Sequence, residues 1–300
     1  MGSKKMSFLS DSKKRFVFFA LTPIMILFFI FSFLPVFFGI GLSFFNYNPL
    51  NINSPFVGLK NYIELFQDPI FYKSLKNTFV FVTAAVSINL IVSILIALGI
   101  NSVVNKFFQN FFRTVFFLPA ISPIVAAAII WRAMFNPMYG TLNNILSAFG
   151  INTVTYWLSD PKFVLPAIIL MTLWQDIGYN IVIVMAGLQG IPKTFIEAAK
   201  IDGASSFIIF FKITLPLLTR TIVFVSIMTI LSYFQIFAQV QIMSFGGPDY
   251  ASEVISLHIY DNAFRFMRMG YASSEAVILL IIMFVISFIQ IKLIRADWEY

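Results

Sequence analysis

A row of polar side chains lies inside a long apolar stretch near the middle of the chain. Asp176 is a carboxylate far from both ends of that stretch, and Thr172, Gln175 and Tyr179 fall on its side at helical spacing. Ionisable groups at such a depth are costly and point to function. Carboxylate, amide and hydroxyl groups together suit a solute rich in hydroxyl groups, such as a sugar.

A second polar row follows in the next apolar stretch. Ser226, Thr229 and Tyr233 are separated by three and four residues. A Tyr ring can cover the apolar face of a sugar while its hydroxyl forms a hydrogen bond. The alternative is helix packing, because Ser, Thr, Asn and Gln commonly form hydrogen bonds between packed spans. Packing is the preferred interpretation for Ser226, Ser232 and Asn180.

The connection between these two stretches, residues 189–220, has a pattern of its own. A short helix is predicted over Thr194–Ile201, followed by a left-handed stop at Gly203. A second helix is predicted over Phe207–Ile213, and Pro216 is expected to close it before the next span.

Small residues surround this predicted corner. Ala198, Ala199 and Ala204 leave it without bulky side chains, and Glu197 and Asp202 supply charge. Another protein could therefore approach the backbone closely. The alternative is an amphipathic helix that lies on the lipid headgroups.

Several kinds of chemistry are excluded. The chain has no G-x-x-x-x-G-K-[ST] loop to cradle phosphates, no Cys, and one His, His258, outside the apolar stretches. We therefore expect no catalytic residue, no metal site and no cofactor in this chain, and we expect it not to be an enzyme. Chemical energy must come from a partner.

Composition places these motifs in a membrane. Of 300 residues, 59% are hydrophobic and 11% are charged, whereas soluble domains carry about 25% charged residues. Runs such as Phe79–Leu98 are apolar on every side, which excludes a β-barrel. The predicted fold is an all-α polytopic membrane protein whose residues 16–300 form one domain, with six transmembrane helices at about 16–45, 78–100, 114–135, 164–188, 221–245 and 276–294.

The basic residues predict the orientation. Of the 20 Lys and Arg residues, thirteen lie in the termini and the alternate connections on the N-terminal side, and seven lie on the opposite side. Cytoplasmic loops carry the excess of Lys and Arg. Both termini, the N-terminal segment 1–15 and the 189–220 connection are therefore predicted to be cytoplasmic.

The corner also carries a recognisable motif. The run EAAKIDGA at 197–204, followed by FKITLP at 211–216, resembles the EAA motif of permease subunits of binding-protein-dependent ABC importers. Further short motifs resemble the MalF-type sugar permeases: Val57–Tyr62, Asn77 with Thr78, Leu118 and Pro119 with Trp131, Ala186–Gln189, Gly246–Pro248 and Gly270–Ala272.

The resemblance implies a multi-pass permease of the bacterial cell membrane, which forms half of a translocation pathway for a carbohydrate. It implies a coupling helix between helices 4 and 5, seated in a cleft of the ATPase, with the coupling residues Glu197, Ala198, Ala199, Asp202, Gly203 and Ala204. The implied partners are a second homologous permease, two cytoplasmic ABC ATPase domains that bind ATP and Mg, an extracellular solute-binding protein and membrane lipid, without nucleic acid.

The resemblance also implies a solute path. The sugar-contacting positions of the maltose permease fall without gaps on Thr172, Gln175, Asp176, Thr229, Tyr233 and Ile236. The apolar Ile236 departs from that pattern, so the sugar need not be maltose. A permease for glycerol phosphate or another polyol derivative is an alternative, although Asp176 argues against an anionic solute. A secondary transporter that works without an ATPase and uses Asp176 as a proton site is the alternative from another class.

Overall fold

The computed structural model describes residues 11–51, 53–151 and 154–294. Most of the predicted N-terminal segment 1–15 lies outside the described residues, as does Arg295 of the charge count. Two compact units are present. The first unit comprises the described residues up to Leu65 together with Asn262–Val277, and the second comprises Phe66–Asp261 and the described residues from Ile278 onward.

Helices make up nearly all regular structure in the described part of the chain, which shows no strand beyond an isolated bridge between Phe45 and Phe56. The α-helices are α1 Asp11–Phe28, α2 Leu34–Leu42, α3 Lys60–Leu65, α4 Pro69–Asn101, α5 Lys106–Ile121, α6 Ile124–Met134, α7 Thr141–Ala148, α8 Val164–Gln189, α9 Lys193–Ile201, α10 Ser206–Ile209, α11 Leu215–Phe234, α12 Ala238–Met243, α13 Ile255–Tyr260 and α14 Met269–Ile294. Three π-helical turns cover Phe29–Phe33, Phe210–Thr214 and Asp261–Arg265.

Five helical segments are long and apolar enough to cross a membrane, and a bent pair makes a sixth if it counts as one span. The protein is thus an all-α polytopic membrane protein, as predicted. The five segments are Arg15–Leu42, Pro69–Asn101, Val164–Gln189, Ser206–Phe234 and Met269–Lys292.

The third predicted span, 114–135, is wrong as a single straight helix. The structure has α5 and α6 there, bent by 94° relative to each other. Ser122 between them is extended, with a ψ of 136°, and Pro123 caps α6. Proline disfavours helical backbone in the residue before it, which explains the break at this position.

The fifth predicted span, 221–245, is wrong at both ends. Pro216 does not close the preceding helix, because α10 runs through the π-helical turn Phe210–Thr214 directly into α11. In that wide turn the Leu215 amide donates to the Phe210 carbonyl, five residues earlier. The turn accommodates the proline ring, which would collide with a carbonyl of a regular α-helix. The first span likewise has a π-helical turn, Phe29–Phe33, just before Pro35.

Contacts within the first unit explain two of the short sequence motifs, Val57–Tyr62 and Gly270–Ala272. Asn61 donates through Nδ2 to the carbonyls of Ser43 at 2.7 Å and Phe45 at 3.0 Å, which fixes the turn after α2. A Cβ at Gly270 would overlap the Phe45 carbonyl oxygen, so only glycine fits there. Arg268 pairs with Glu64 nearby.

In the second unit, α8 packs against α4, α5 and α11. Gly178 and Gly187 allow the close approach: a Cβ at Gly178 would overlap the Phe116 carbonyl oxygen of α5, and one at Gly187 would press against Thr221 of α11. Small residues at crossings are typical of packed membrane helices. Close contacts with α5 and α11 therefore fix the position of α8. They also fix the positions of the polar residues that α8 carries.

Candidate solute path and coupling loop

The corner at 197–204 forms as the sequence predicts. Helix α9 ends at Ile201, and Gly203 is left-handed with a φ of +75°. The Ala204 amide donates to the Ala199 carbonyl at 2.9 Å and the Gly203 amide to the Lys200 carbonyl at 3.1 Å. This pair of hydrogen bonds is the Schellman motif, which satisfies the last carbonyls of a helix.

The corner presents its backbone to the outside of the chain. Glu197, Ala198, Asp202 and Gly203 are exposed, and a Cβ at Gly203 would meet nothing within 4 Å. Ile201 beside it is 86% exposed. The hydrogen-bonded turn, its two carboxylates and the Ile201 side chain are therefore accessible from outside the chain.

Three helices of the second unit share a buried hydrogen-bond network. Asn180 of α8 donates through Nδ2 to Asn89 Oδ1 of α4 at 2.6 Å and to Thr229 Oγ1 of α11 at 3.0 Å. Ser93 donates to the same Asn89 oxygen at 3.1 Å, and Asn89 Nδ2 donates to the Tyr233 hydroxyl at 3.0 Å. All five side chains are buried, so this polar cluster is closed to water.

Asp176 lies at the edge of this network. Its carboxylate lies close enough to the Tyr233 hydroxyl to interact with it electrostatically. Because Tyr233 accepts from Asn89, its only proton is available for Asp176. Asp176 is half-buried, whereas the other five predicted solute-path residues are buried. It is therefore the more accessible polar group beside the buried hydrogen-bond network.

The remaining predicted path residues serve other contacts. Gln175 donates through Nε2 to the Ser122 carbonyl at 2.9 Å, at the break between α5 and α6. Thr172 donates to the Ile168 carbonyl of its own helix at 2.9 Å, and Ile236 is buried after the end of α11. The structure therefore places Thr229 and Tyr233 in one hydrogen-bond network with Asp176 beside it, and leaves the other three predicted residues outside it.

Sequence reasoning missed the α4 members of the network. Asn89 and Ser93 are two polar residues one helical turn apart in a largely apolar span. That spacing is the same signal that singled out the polar rows of α8 and α11. Asn180 forms hydrogen bonds between helices, in the packing role preferred for it.

In the described residues, several apolar spans, a buried polar network between three of them and an exposed helical corner are features of a multi-pass membrane protein with a polar interior. No group of His, Cys, Asp or Glu side chains among the described residues could hold a metal ion.

Comparison with known proteins identifies the family. Residues 89–296 match the family described as "Binding-protein-dependent transport system inner membrane component", and the chain belongs to it. It is thus a permease of the ABC-importer class, and its relatives are transport permeases.

The relatives match over most of their length. The probable ABC transporter permease protein YurN of Bacillus subtilis (strain 168) is 34% identical over 276 residues, which cover 91% of this chain and 94% of that protein. The lactose transport system permease protein LacF of Rhizobium radiobacter is 34% identical over 239 residues, or 78% of this chain and 80% of that protein.

A solved structure has the same fold. It is the crystal structure of a bacterial alginate ABC transporter in complex with an alginate pentasaccharide-bound periplasmic protein. One of its chains superposes with a TM-score of 0.83 and is 26% identical, with 95% of this chain and 96% of that chain covered.

Proposed function

We propose that this chain is the permease subunit of an ATP-driven importer for a carbohydrate in the bacterial cell membrane. Relatives named for lactose and multiple sugars, and the alginate transporter of the same fold, support this substrate class. Some relatives are named for glycerol phosphate, so a polyol phosphate is the second candidate. Membership of a binding-protein-dependent family argues against an ATPase-independent carrier.

The observation that carries the proposal is the exposed corner at 197–204. Its Schellman turn leaves the Gly203 backbone and the Ala198 side chain uncovered by the described residues, whereas Ala199 is buried and Ala204 is half-buried. We assign its six residues to ATPase docking: Glu197, Ala198, Ala199, Asp202, Gly203 and Ala204. ATP and Mg would bind the partner ATPase and not this chain.

The assembled transporter would contain three further kinds of component: a second, homologous permease, two ATPase domains and a solute-binding protein outside. The periplasmic protein in the alginate transporter structure supports the last of these. Residues 1–15 are assigned to the cytoplasm, and residues 16–300 to one transmembrane domain with both termini inside.

We assign Asp176 and Tyr233 to the solute path. A carboxylate that is half-buried and oriented by a buried network can accept hydrogen bonds from sugar hydroxyls. Thr229 supports that geometry through Asn180. Thr172, Gln175 and Ile236 are assigned to the same path as neighbouring positions on α8 and after α11.

The test is ATP hydrolysis by the reconstituted transporter, stimulated by binding protein loaded with saccharide. Gly203→Val should abolish the stimulation. Gly150→Val is a matched control, because Gly150 is also left-handed, with a φ of +86° and open space around its Cβ position, but lies in a connection predicted to be external. If both variants respond alike, the corner is not the coupling element.

A further inference from the structure

A cavity of about 550 Å³ opens in the second unit, away from Asp176. Side chains from α6, the segment that follows it and the end of α12 line it, together with Leu158 and Ser159. Pockets of 300–1,000 Å³ are the usual size for small-molecule sites. The charge count predicts that this part of the chain faces the outside.

The cavity carries a positive charge without a negative counterpart. Arg132 lines it, donates through Nη1 to the Ile242 carbonyl at 3.2 Å and lies over the Phe245 ring at 5.5 Å. It forms no ion pair with a carboxylate of the described residues, and no Asp or Glu lines the cavity. A guanidinium has five N–H donors, so most of them are left for a ligand.

Neutral donors surround the same space. The side-chain oxygen of Asn136 accepts from the amides of Met138 at 2.9 Å and Tyr139 at 3.3 Å, which leaves its NH₂ group for another partner. Within the described part of the chain, the hydroxyls of Ser159 and Tyr139 form no hydrogen bond. The lining is therefore rich in donors, as a ligand with many acceptor oxygens requires.

Two aromatic rings border the cavity. Tyr139 is 70% exposed and Phe245 is 56% exposed. Phe245 also has a φ of 53°, a left-handed conformation that bulky residues rarely adopt. Strained residues of this kind cluster at functional sites. Exposed aromatic faces beside polar donors are what a saccharide ring needs.

We propose that this cavity is an outer subsite for a carboxylated saccharide unit. Arg132 pairs with the carboxylate, Asn136, Ser159 and Tyr139 donate to ring and hydroxyl oxygens, and the exposed Tyr139 ring covers the apolar sugar face, while Phe245 supports the Arg132 guanidinium. The proposal rests on the proposed function and narrows its substrate class. Asp176 does not line the cavity, so the carboxylate of the ligand is bound apart from that of Asp176.

The chain contains no Cys, so a single introduced cysteine can be labelled without background from this chain. Ser159→Cys is introduced into the assembled transporter in phosphatidylcholine membranes, and its reaction rate with an impermeant maleimide is measured. The probes are digalacturonate and its methyl ester, which has the same sugars without the charge. Digalacturonate should slow the labelling at concentrations about ten-fold or more below those needed for the ester, because a hydrogen bond to a charged group is strong.

Arg132→Gln in the same background should remove that preference for the acid, whereas Lys162→Gln, outside the cavity, should keep it. Equal protection by acid and ester, no protection, or a preference that survives Arg132→Gln overturns the proposal. If phosphatidylglycerol alone slows labelling through Arg132, the anion site belongs to lipid headgroups and the proposal also fails. Saccharide-stimulated ATP hydrolysis is measured in parallel. If the stimulation persists while the labelling results contradict the subsite, the subsite proposal fails and the proposed carbohydrate-importer function does not.

Discussion

Replacing Asn89 with Leu tests the buried network most sharply. Asn89 accepts from Asn180 and Ser93 and donates to Tyr233, so Asn89→Leu removes three hydrogen bonds at nearly constant volume. Hydrogen bonds between membrane helices contribute about 0.6 kcal/mol each, and each buried group left unpaired adds to the loss. We therefore expect the free energy of unfolding to fall by about 2–4 kcal/mol.

Ser93→Ala is the matched control on the same helix. It removes one donor, which bonds Asn89 within α4 and lies 3.4 Å from the Ile177 carbonyl of α8, and leaves Asn89 Oδ1 bonded to Asn180, so the expected loss is that of one hydrogen bond, about 0.5–1.5 kcal/mol. Unfolding by titration with sodium dodecyl sulfate in mixed micelles measures both variants. Transport should also weaken several-fold in Asn89→Leu, because Tyr233 loses the donor that orients its hydroxyl. Equal losses of stability in the two variants would refute the assignment of Asn89 as the centre of the network.

Three further predictions concern coupling, solute contact and topology. Gly203→Val and Gly203→Asn should both prevent co-purification of the ATPase, but only Val should destabilise the corner, by about 1–2 kcal/mol, since Asn tolerates left-handed backbone; normal co-purification of both would contradict docking. Tyr233→Phe should lower the rate of uptake about two- to ten-fold and should lower stability slightly, because the buried Asn89 amide loses its acceptor, and Tyr233→Ala should lower both further, because it leaves a cavity at a buried position; parent rates of uptake in both would exclude this hydroxyl from the solute path. Single cysteines at Asn105 and Ser205 should label only from the cytoplasm and one at Asn53 only from outside, and labelling of Ser205 from outside would overturn the orientation.

The sequence predicts the features that depend on local chemistry. The fourth span is predicted at 164–188 and observed at Val164–Gln189, because an apolar run between turn residues defines both ends. The left-handed stop at Gly203 is also confirmed. It could be predicted because few residues other than glycine adopt that conformation readily.

The predicted bounds of the third and fifth spans are wrong because the same residues are compatible with several local structures. Proline within an apolar run can start, kink or end a helix, and hydropathy does not distinguish these outcomes. Pro123 separates two helices at a sharp bend, whereas Pro216 lies within continuous helical structure beside a π-helical turn. The outcome depends on packing and hydrogen bonds around each residue, such as the contact of Gln175 with the bend.

The candidate path could be predicted only in part. Asp176, Thr229 and Tyr233 stand out as polar residues in apolar spans, but their connection runs through Asn89 of a helix distant in sequence. Gln175 lies beside Asp176 in the chain and yet forms a different contact. Neighbouring positions on a helix show which residues share a face, but not which helix packs against that face.

Site-specific photocrosslinking determines whether the corner at 197–204 docks on an ATPase. A benzophenone attached to Thr194→Cys, at the exposed start of α9, is activated in membranes that contain the whole transporter; Ala148→Cys, exposed at the end of α7 and predicted to be external, is the control. We expect a covalent adduct with the ATPase from Thr194→Cys and none from Ala148→Cys. Adducts with lipid alone from Thr194→Cys, in a transporter that still hydrolyses ATP in response to saccharide, would contradict this docking.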